Sequence, residues 1–303
     1  MRRVLSVHFA PCALFVAGVL ALIRAGSFSG HSDWGAVRPA DPTAALALLT
    51  TITATAALLG LLLQPFQVRA IRALEGYWDR WTPTAHLAEV LIRLQRRRWR
   101  ALHSRAHADG TQGGPATQRV SGDAQRRLAA QPPAEVLLPT ALGNALRAGE
   151  LSAGERYGLS TLSSWPRIYP QVSDRLAAAL RSTRDALDTS VNLCWCFLAL
   201  TLVGAVALID EWSVCWWSGT GLVLAAVAYK GAVTTAQSYA GLMRVTYDLH
   251  RFDLLAALHH PLPADRDAED DTFYRLSEFL AGTRVTDLPY DHGADDGGGA
   301  APL

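Results

Sequence analysis

The sequence predicts an all-α protein, a four-helix transmembrane bundle whose helices extend into a cytoplasmic helical stalk. Three observations lead there. The 303-residue chain is 50% apolar and 18% charged with a mean hydropathy of +0.12, whereas soluble proteins carry about a quarter charged residues. Its uncharged residues gather into four windows long enough to cross a bilayer, and its basic residues crowd one end of each window. The composition excludes collagen-like, disulfide-scaffold and wholly disordered chains.

A helix rises 1.5 Å per residue and must cross about 30 Å of hydrocarbon, which takes ~20 residues. Residues 1–68 hold the first pair of spans. Val4 to Ile23 is 20 residues with only His8 titratable, and Thr43 to Val68 is 26 uncharged residues. A cleaved signal peptide competes for the first window, but Arg24 and the poor small-residue spacing around Ala25 disfavour it. Thr189 to Ile209 (21 residues) and Trp212 to Tyr229 (18 residues) form the second pair, a hairpin turning at Asp210 and Glu211.

Cytoplasmic flanks accumulate Lys and Arg. Arg2 and Arg3 precede window one; Arg69, Arg72 and Arg80 follow window two; Arg175, Arg181 and Arg184 lead into window three; Lys230, Arg244 and Arg251 trail window four. The opposite connections hold only Arg24 and Arg38, and no basic residue between windows three and four. The expectation is a multi-pass cell (inner) membrane protein with both termini cytoplasmic. The net charge of +1 hides segregation: residues 65–189 carry 18 Arg against 11 acidic residues, and 248–303 carry four Arg against 12.

Helices in lipid associate through close approach at small residues. Ala13, Ala17 and Ala21 stripe helix one, Ala56 and Gly60 helix two, and Gly221, Ala225, Ala228, Ala232, Ala236 and Ala240 helix four. Aromatic and basic residues favour the headgroup level. The interface candidates are Trp78, Trp81, Arg96, Arg97, Arg98, Trp99, Trp212, Trp216, Trp217, Tyr229 and Lys230.

Between the pairs, residues 69–106 are expected as cytoplasmic amphipathic helices and 107–134, with many Gly, Gln and Pro, as a flexible linker. Residues 135–172 hold a short helix, about Thr140 to Ala148, and a Pro/aromatic elbow at 165–170. The hairpin segment 173–260 extends into the cytoplasm from a Ser173 cap through Leu176, Leu180, Leu187 and Val191. It returns through Leu242, Val245, Leu249, Phe252, Leu255 and Leu258 to His259 and His260. The two extensions are expected to pack like a short coiled coil, with Arg175, Arg181, Arg184, Asp185 and Asp188 on the wet side. The acidic segment 261–303 carries a short helix from Asp271 or Thr272 to Gly282, then a disordered tail.

Catalytic chemistry leaves little trace. There is no metal-ligand pattern, nucleophile elbow, phosphate-binding Gly loop or paired Cys motif, and no cofactor is expected. Asp265 to Asp271 resembles a calcium loop in charge only. His259 and His260 suit a helix C-terminus electrostatically. Cys12, Cys194, Cys196 and Cys215 fall in or at the edge of spans, and no disulfide is expected: Cys196 lies about 20 Å down its helix from the turn beside which Cys215 starts the next, and Cys194 and Cys196 are about 200° apart around one helix, a poor geometry for a shared metal. Glu150, Glu155, Arg156 and Tyr157 are the one cytoplasmic cluster with catalytic functional groups, and ion pairing within a stalk explains them as well. Arginine richness without a reading motif argues against nucleic acid.

The strings LEGYW at 74–78, PTALGNALRAGE at 139–150 and RYGLSTLSSWPRIYP at 156–170 resemble strings in uncharacterised multi-pass membrane proteins of actinobacteria, a group with no assigned activity. That resemblance implies a membrane protein and no chemistry. The sequence thus leads to a non-enzymatic scaffold or sensor whose partners are the lipid bilayer and a cytoplasmic protein or further copies of itself. A subunit of an oligomeric channel or membrane-disrupting effector is the alternative, and an enzyme using the 150–157 cluster a third class.

Overall fold

A computed structural model describes residues 7–78, 82–107, 114–211, 216–284 and 288–291. Among the described residues the protein is all-helical, with no strand. Ten α-helices are described: α1 Phe9–Arg24, α2 Pro42–Leu63, α3 Gln67–Glu75, α4 Thr82–Ala106, α5 Pro115–Ala129, α6 Ala141–Ser152, α7 Thr161–Ile168, α8 Asp174–Ala207, α9 Trp217–Ala257 and α10 Arg266–Leu280. The chain divides into two compact units, residues 1–145 with 182–237, and residues 146–181 with 238–303.

In the first unit, α2 starts where Asp41 caps it: the Asp41 carboxylate accepts from the Ala44 amide at 2.7 Å and the Thr43 hydroxyl at 2.6 Å, and Pro42 occupies the first turn, where its missing N–H costs nothing. At Pro65 the chain tightens into one 3₁₀ turn and resumes as α3. Pro42–Glu75 together is 34 residues long. This segment and Asp174–Ala207 are the two described helices long and apolar enough to cross a membrane. α1 is shorter, at 16 residues.

Gly76 ends α3 in the left-handed region at φ 97°, with its amide bonded to the Arg72 carbonyl. A Cβ there would stand 3.0 Å from Pro139, and one on Gly143 would overlap the Glu75 carbonyl. The Thr140 hydroxyl donates to that carbonyl at 2.7 Å and accepts from the Gly143 amide at 3.0 Å. The strings LEGYW and PTALGN therefore meet as one joint that requires two glycines.

Residues 115–129, expected to be part of a mobile linker, instead form α5. Ala124 and Ala106 are each 3% exposed, and both the Ser121 hydroxyl and the Gln125 amide donate to the Ala106 carbonyl. The linker expectation rested on few large apolar groups, but two helices can pack through Ala and Ser because small side chains let backbones approach. Asp188, expected on a wet face, is 7% exposed in the structure and paired with Arg184 at 3.2 Å. On the connection between α8 and α9, both the amide and hydroxyl of Ser32 donate to Glu211 at 2.5 Å. Those bonds hold the Glu211 carboxyl below its usual range.

The second unit has its own core. Ala177 and Leu180 of α8, Met243, Leu254 and Leu255 of α9, and Phe273 and Leu276 of α10 bury together with Ile168 around a fully buried Tyr247. The expected pairing of two bare extensions is therefore replaced here by a core they share with α7 and α10. The Tyr247 hydroxyl meets the Ser164 hydroxyl at 2.8 Å and donates to the Thr161 carbonyl at 3.3 Å. Trp165 stacks on its ring at 6.1 Å. A Cβ on Gly154 would approach within 2.8 Å of the Tyr247 ring and the Leu159 carbonyl, so the string 156–170 and the glycine before it serve to enclose this tyrosine. Burial pushes the Tyr247 hydroxyl up to about 12.

Two expected boundaries shift in this unit. The elbow at 165–170 is helical through Pro166, which lies two residues before the end of α7 and removes only one backbone donor. α10 begins at Arg266 because Asp265 caps it, accepting from the Ala268 amide at 2.8 Å, and because Asp267 and Glu269 favour the positive end of its dipole. The acidic run thus starts a helix.

Candidate functional site

The residues singled out as interface candidates scatter. Arg96, Arg97 and Arg98 are exposed on α4. Trp99 is half-buried and stacks on His103 with centroids 4.8 Å apart, a ladder continued by His107. It faces away from Leu87, Val90 and Leu94, which are 42–54% exposed on the other side of that helix. Trp78 is tied to its own helix end, its indole donating to the Ala73 carbonyl at 2.7 Å. Tyr229 accepts from the Leu142 amide at 3.1 Å, at the start of α6, while Lys230 is exposed. Trp216 and Trp217 form an exposed pair at 5.0 Å. Trp81 and Trp212 lie outside the described residues, as does Cys215.

Among the small-residue positions, Ala56, Gly60, Ala225, Ala232, Ala236 and Ala240 are buried, and Ala13, Ala17, Ala21, Gly221 and Ala228 are half-buried. Gly60 sits against α1, where a Cβ would lie 3.3 Å from that of His8; on Gly221 it would overlap the Thr201 hydroxyl. These are close helix crossings of the kind small residues permit.

The 150–157 cluster resolves into two ion-pair groups in the second unit. Arg147 bonds Glu150 at 2.9 Å and Glu155 at 3.0 Å. Tyr157 donates to Asp248 at 2.7 Å between two guanidinium groups, Arg156 and Arg251, which stand 4.6 and 4.5 Å from its ring. Arg156 pairs with Asp248 at 3.2 Å and Arg251 with Glu269 at 2.8 Å. Burial and the Asp248 carboxylate raise the Tyr157 hydroxyl above its ordinary value. Arg147 is shared by two carboxylates, while the Arg156–Asp248 and Arg251–Glu269 pairs hold α9, α10 and the 155–157 turn together. His260 is equally committed: it is 4% exposed, donates from Nδ1 to the Pro289 carbonyl at 2.9 Å and stacks on Tyr290.

Convergent polar groups inside an apolar cavity occur elsewhere, in the first unit among α1, α2, α3 and α8. The cavity has a volume of about 380 Å³ and is lined by Pro11, Cys12, Phe15, Leu59, Leu63, Phe66, Ala70, Trp195, Cys196 and Ala199, with His8, Gln67 and Asn192 as its polar members. The Asn192 amide donates to His8 Nδ1 at 3.1 Å and to the Val7 carbonyl at 3.3 Å, so a neutral His8 carries its proton on Nε2. Trp195 is fixed by an indole bond to the Ala70 carbonyl at 3.2 Å. The Gln67 Nε2 is buried without an acceptor. Hydropathy windows passed over Gln67 and Asn192 because they register charge; an amide within such a window was the available signal. A larger cavity of about 620 Å³, which includes Gly18, Trp34, Leu200 and Gly221, is lined almost wholly by apolar groups.

Cys12, Cys194 and Cys196 are free thiols, and among the described residues no three His, Cys, Asp or Glu side chains are placed to hold a metal ion. Comparison with known proteins finds no family, no curated protein and no solved structure that matches the chain.

Proposed function

We propose that this chain is an inner-membrane protein with four spans, α1, α2 with α3, the apolar part of α8 and the first half of α9, and that it serves as a non-enzymatic scaffold or sensor. One observation carries the membrane reading. Leu46, Leu49, Leu58, Leu61, Leu62 and Leu63 of α2 are 45–64% exposed, and only 11% of its most apolar stretch is buried. Water-soluble proteins rarely expose contiguous apolar patches beyond a few hundred Å², whereas a lipid solvent makes outward leucines favourable. Leu202 and Val206 of α8 and Leu222, Val223 and Val227 of α9 are exposed in the same way.

Orientation rests on the arginine asymmetry, which places both termini and residues 69–172 in the cytoplasm. The hydroxyls of Thr50, Thr51 and Thr201 donate to carbonyls one turn back, at 2.7–2.8 Å. Those bonds satisfy the hydroxyls within their own helices, so they lend the channel reading no support. The second unit supports the scaffold reading through its own core and through Leu162, Val245, Leu249 and Tyr274, which are 43–86% exposed and offer anchors for a protein partner or a further copy.

The test is fractionation and labelling of the full chain. It should stay in the pellet when vesicles are washed with alkaline carbonate. A cysteine placed at Val120 in a chain whose four native cysteines are changed to serine should react with an impermeant maleimide only after the cells are opened. Release into the supernatant ends the membrane reading; labelling in sealed cells ends the orientation.

A further inference from the structure

The exposed face of α4 changes chemistry along its length. Leu87, Val90 and Leu94, spaced three and four residues apart, share one stripe of the helix and are 42–54% exposed. Arg97, Arg98 and Arg105 continue that stripe, with Arg93 and Arg100 on its flank, and all five are exposed. None of the five forms an ion pair among the described residues, and Glu89 is the one acidic residue of the helix. The covered face, with Ala88, Gln95 and Trp99, lies opposite. From it Gln95 donates to the Pro139 carbonyl at 3.4 Å, while the adjoining Thr140 donates to the Glu75 carbonyl and the Leu142 amide to the Tyr229 hydroxyl. These bonds tie the middle of α4 to the cytoplasmic ends of two proposed spans, α2 with α3, and α9 at Tyr229 and Lys230.

We propose that this face docks on the anionic phospholipid headgroups of the cytoplasmic leaflet, with Leu87, Val90 and Leu94 below the phosphates and the arginines against them. A helix at a membrane surface sinks its apolar side about 5–10 Å into the boundary between headgroups and acyl chains, and its ties to the span ends hold α4 near that level. Arginine suits the charged layer: its guanidinium grips phosphate oxygens with two parallel bonds, and its long stem lets the head reach them while apolar neighbours lie deeper. A nucleic acid would satisfy the arginines but leave the apolar half of the stripe in water. An apolar protein groove would cover that half and leave the arginines without counter-charges. Trp99, the aromatic expected at the interface, takes no part, because it lies on the covered side. The inference rests on the membrane reading and gives the chain a second attachment to the same bilayer.

The experiment uses the full chain in phospholipid nanodiscs, with the four native cysteines changed to serine and a nitroxide attached through Val90→Cys or, separately, Leu58→Cys. Discs contain phosphatidylcholine alone or mixed with phosphatidylglycerol. Access of each nitroxide to oxygen, which concentrates in lipid, and to a water-soluble nickel chelate reports its depth. The Leu58 probe should be open to oxygen and closed to nickel in both lipids; with phosphatidylglycerol present, so should the Val90 probe. Arg97→Gln with Arg98→Gln should lower the ratio of docked to free α4 about 25-fold, which is about 2 kcal/mol at 1.4 kcal/mol per tenfold and follows from about 1 kcal/mol per arginine at an anionic surface. Nickel access at Val90 should then rise, as it should when phosphatidylglycerol is left out. Nickel access at Leu58 overturns the membrane reading and the docking with it. With Leu58 shielded, nickel access at Val90 in both lipids overturns the docking alone and leaves the face to a polyanion in water, such as a nucleic acid. Low access of both reagents at Val90 marks a face covered by protein and overturns it as well, as does a shielded Val90 probe that ignores both phosphatidylglycerol and the two arginines.

Discussion

Leu58→Asp separates the two solvents α2 could face. Leu58 is 59% exposed and lies about 4 Å from the centre of the uncharged stretch 43–68, at 1.5 Å per residue. If lipid covers that surface, insertion exchanges a Leu contribution of about −0.3 to −0.6 kcal/mol for an Asp contribution of about +2.5 to +3.5 kcal/mol. The loss is about 3–4 kcal/mol, on the order of 100- to 1,000-fold in the ratio of inserted to excluded helix. If water covers it, replacing an exposed leucine by aspartate changes stability by only about 0.5 kcal/mol or less and improves solubility. The assay is the carbonate-resistant fraction of the full chain made in the presence of membrane vesicles. Leu58→Ala serves as a control that removes bulk without adding charge. The aspartate variant should fall largely into the soluble or aggregated fraction while the alanine variant stays in the pellet. An aspartate variant that integrates as well as its parent would refute the argument from outward leucines.

In the second unit, the folded Tyr247 hydroxyl titrates at about 12, above its ordinary value near 10, so the neutral form is the one the fold retains. Its contribution is present below pH ~10 and is lost as pH rises towards ~12, on the order of 3 kcal/mol in all. Tyr247→Phe should therefore remove much of the loss of urea resistance between pH 9 and 11.5, while lowering stability by about 1 kcal/mol at pH 8 for its missing hydrogen bonds; an unchanged alkaline profile contradicts this. Limited proteolysis should spare residues 115–129 in the parent, and Ala124→Glu, which forces a charge into the contact with Ala106, should open that stretch to cleavage; equal protection in both would deny that α5 docks on α4. Gly221→Ala should destabilise the first unit by about 1–3 kcal/mol through overlap with Thr201, and adding Thr201→Ala should recover most of the detergent thermal stability; no recovery would place the strain elsewhere.

Hydrophobic patterning revealed the long helices because runs such as 43–68 and 189–209 need no tertiary information to be read. It also placed two helical stripes, one through Leu180 on α8 and one through Leu242 and Leu255 on α9. It did not reveal α5, because Ala124 and Ser121 pack by being small, and smallness in an alanine-rich chain carries little signal. Nor did it reveal the role of Gly143 or Gly154, whose partners, the Glu75 carbonyl and the Tyr247 ring, lie far away in sequence. The helix expected from Asp271 or Thr272 starts earlier, at Arg266, because Asp265 caps it and the acidic run fills its first turns. The amides of Gln67 and Asn192 vanished into windows scored for charge, although an amide in an apolar span raises the same question of a partner as a charge does.

The two units obey one rule under different conditions. In the second, every large apolar side chain of its core turns inward and the hydroxyls of Tyr247, Thr161 and Ser164 all find partners, Tyr247 with Ser164 and the Thr161 carbonyl, Thr161 with the backbone of Gly154 and Glu150, as a fold in water requires. In the first, α2 buries only Ala56 and Gly60 along its whole length and turns its leucines out. Small residues inside and large apolar ones outside reverse the soluble pattern, and that reversal is the arrangement lipid favours: contact between helices gains from close backbone approach, while leucine gains nothing by leaving a hydrocarbon solvent.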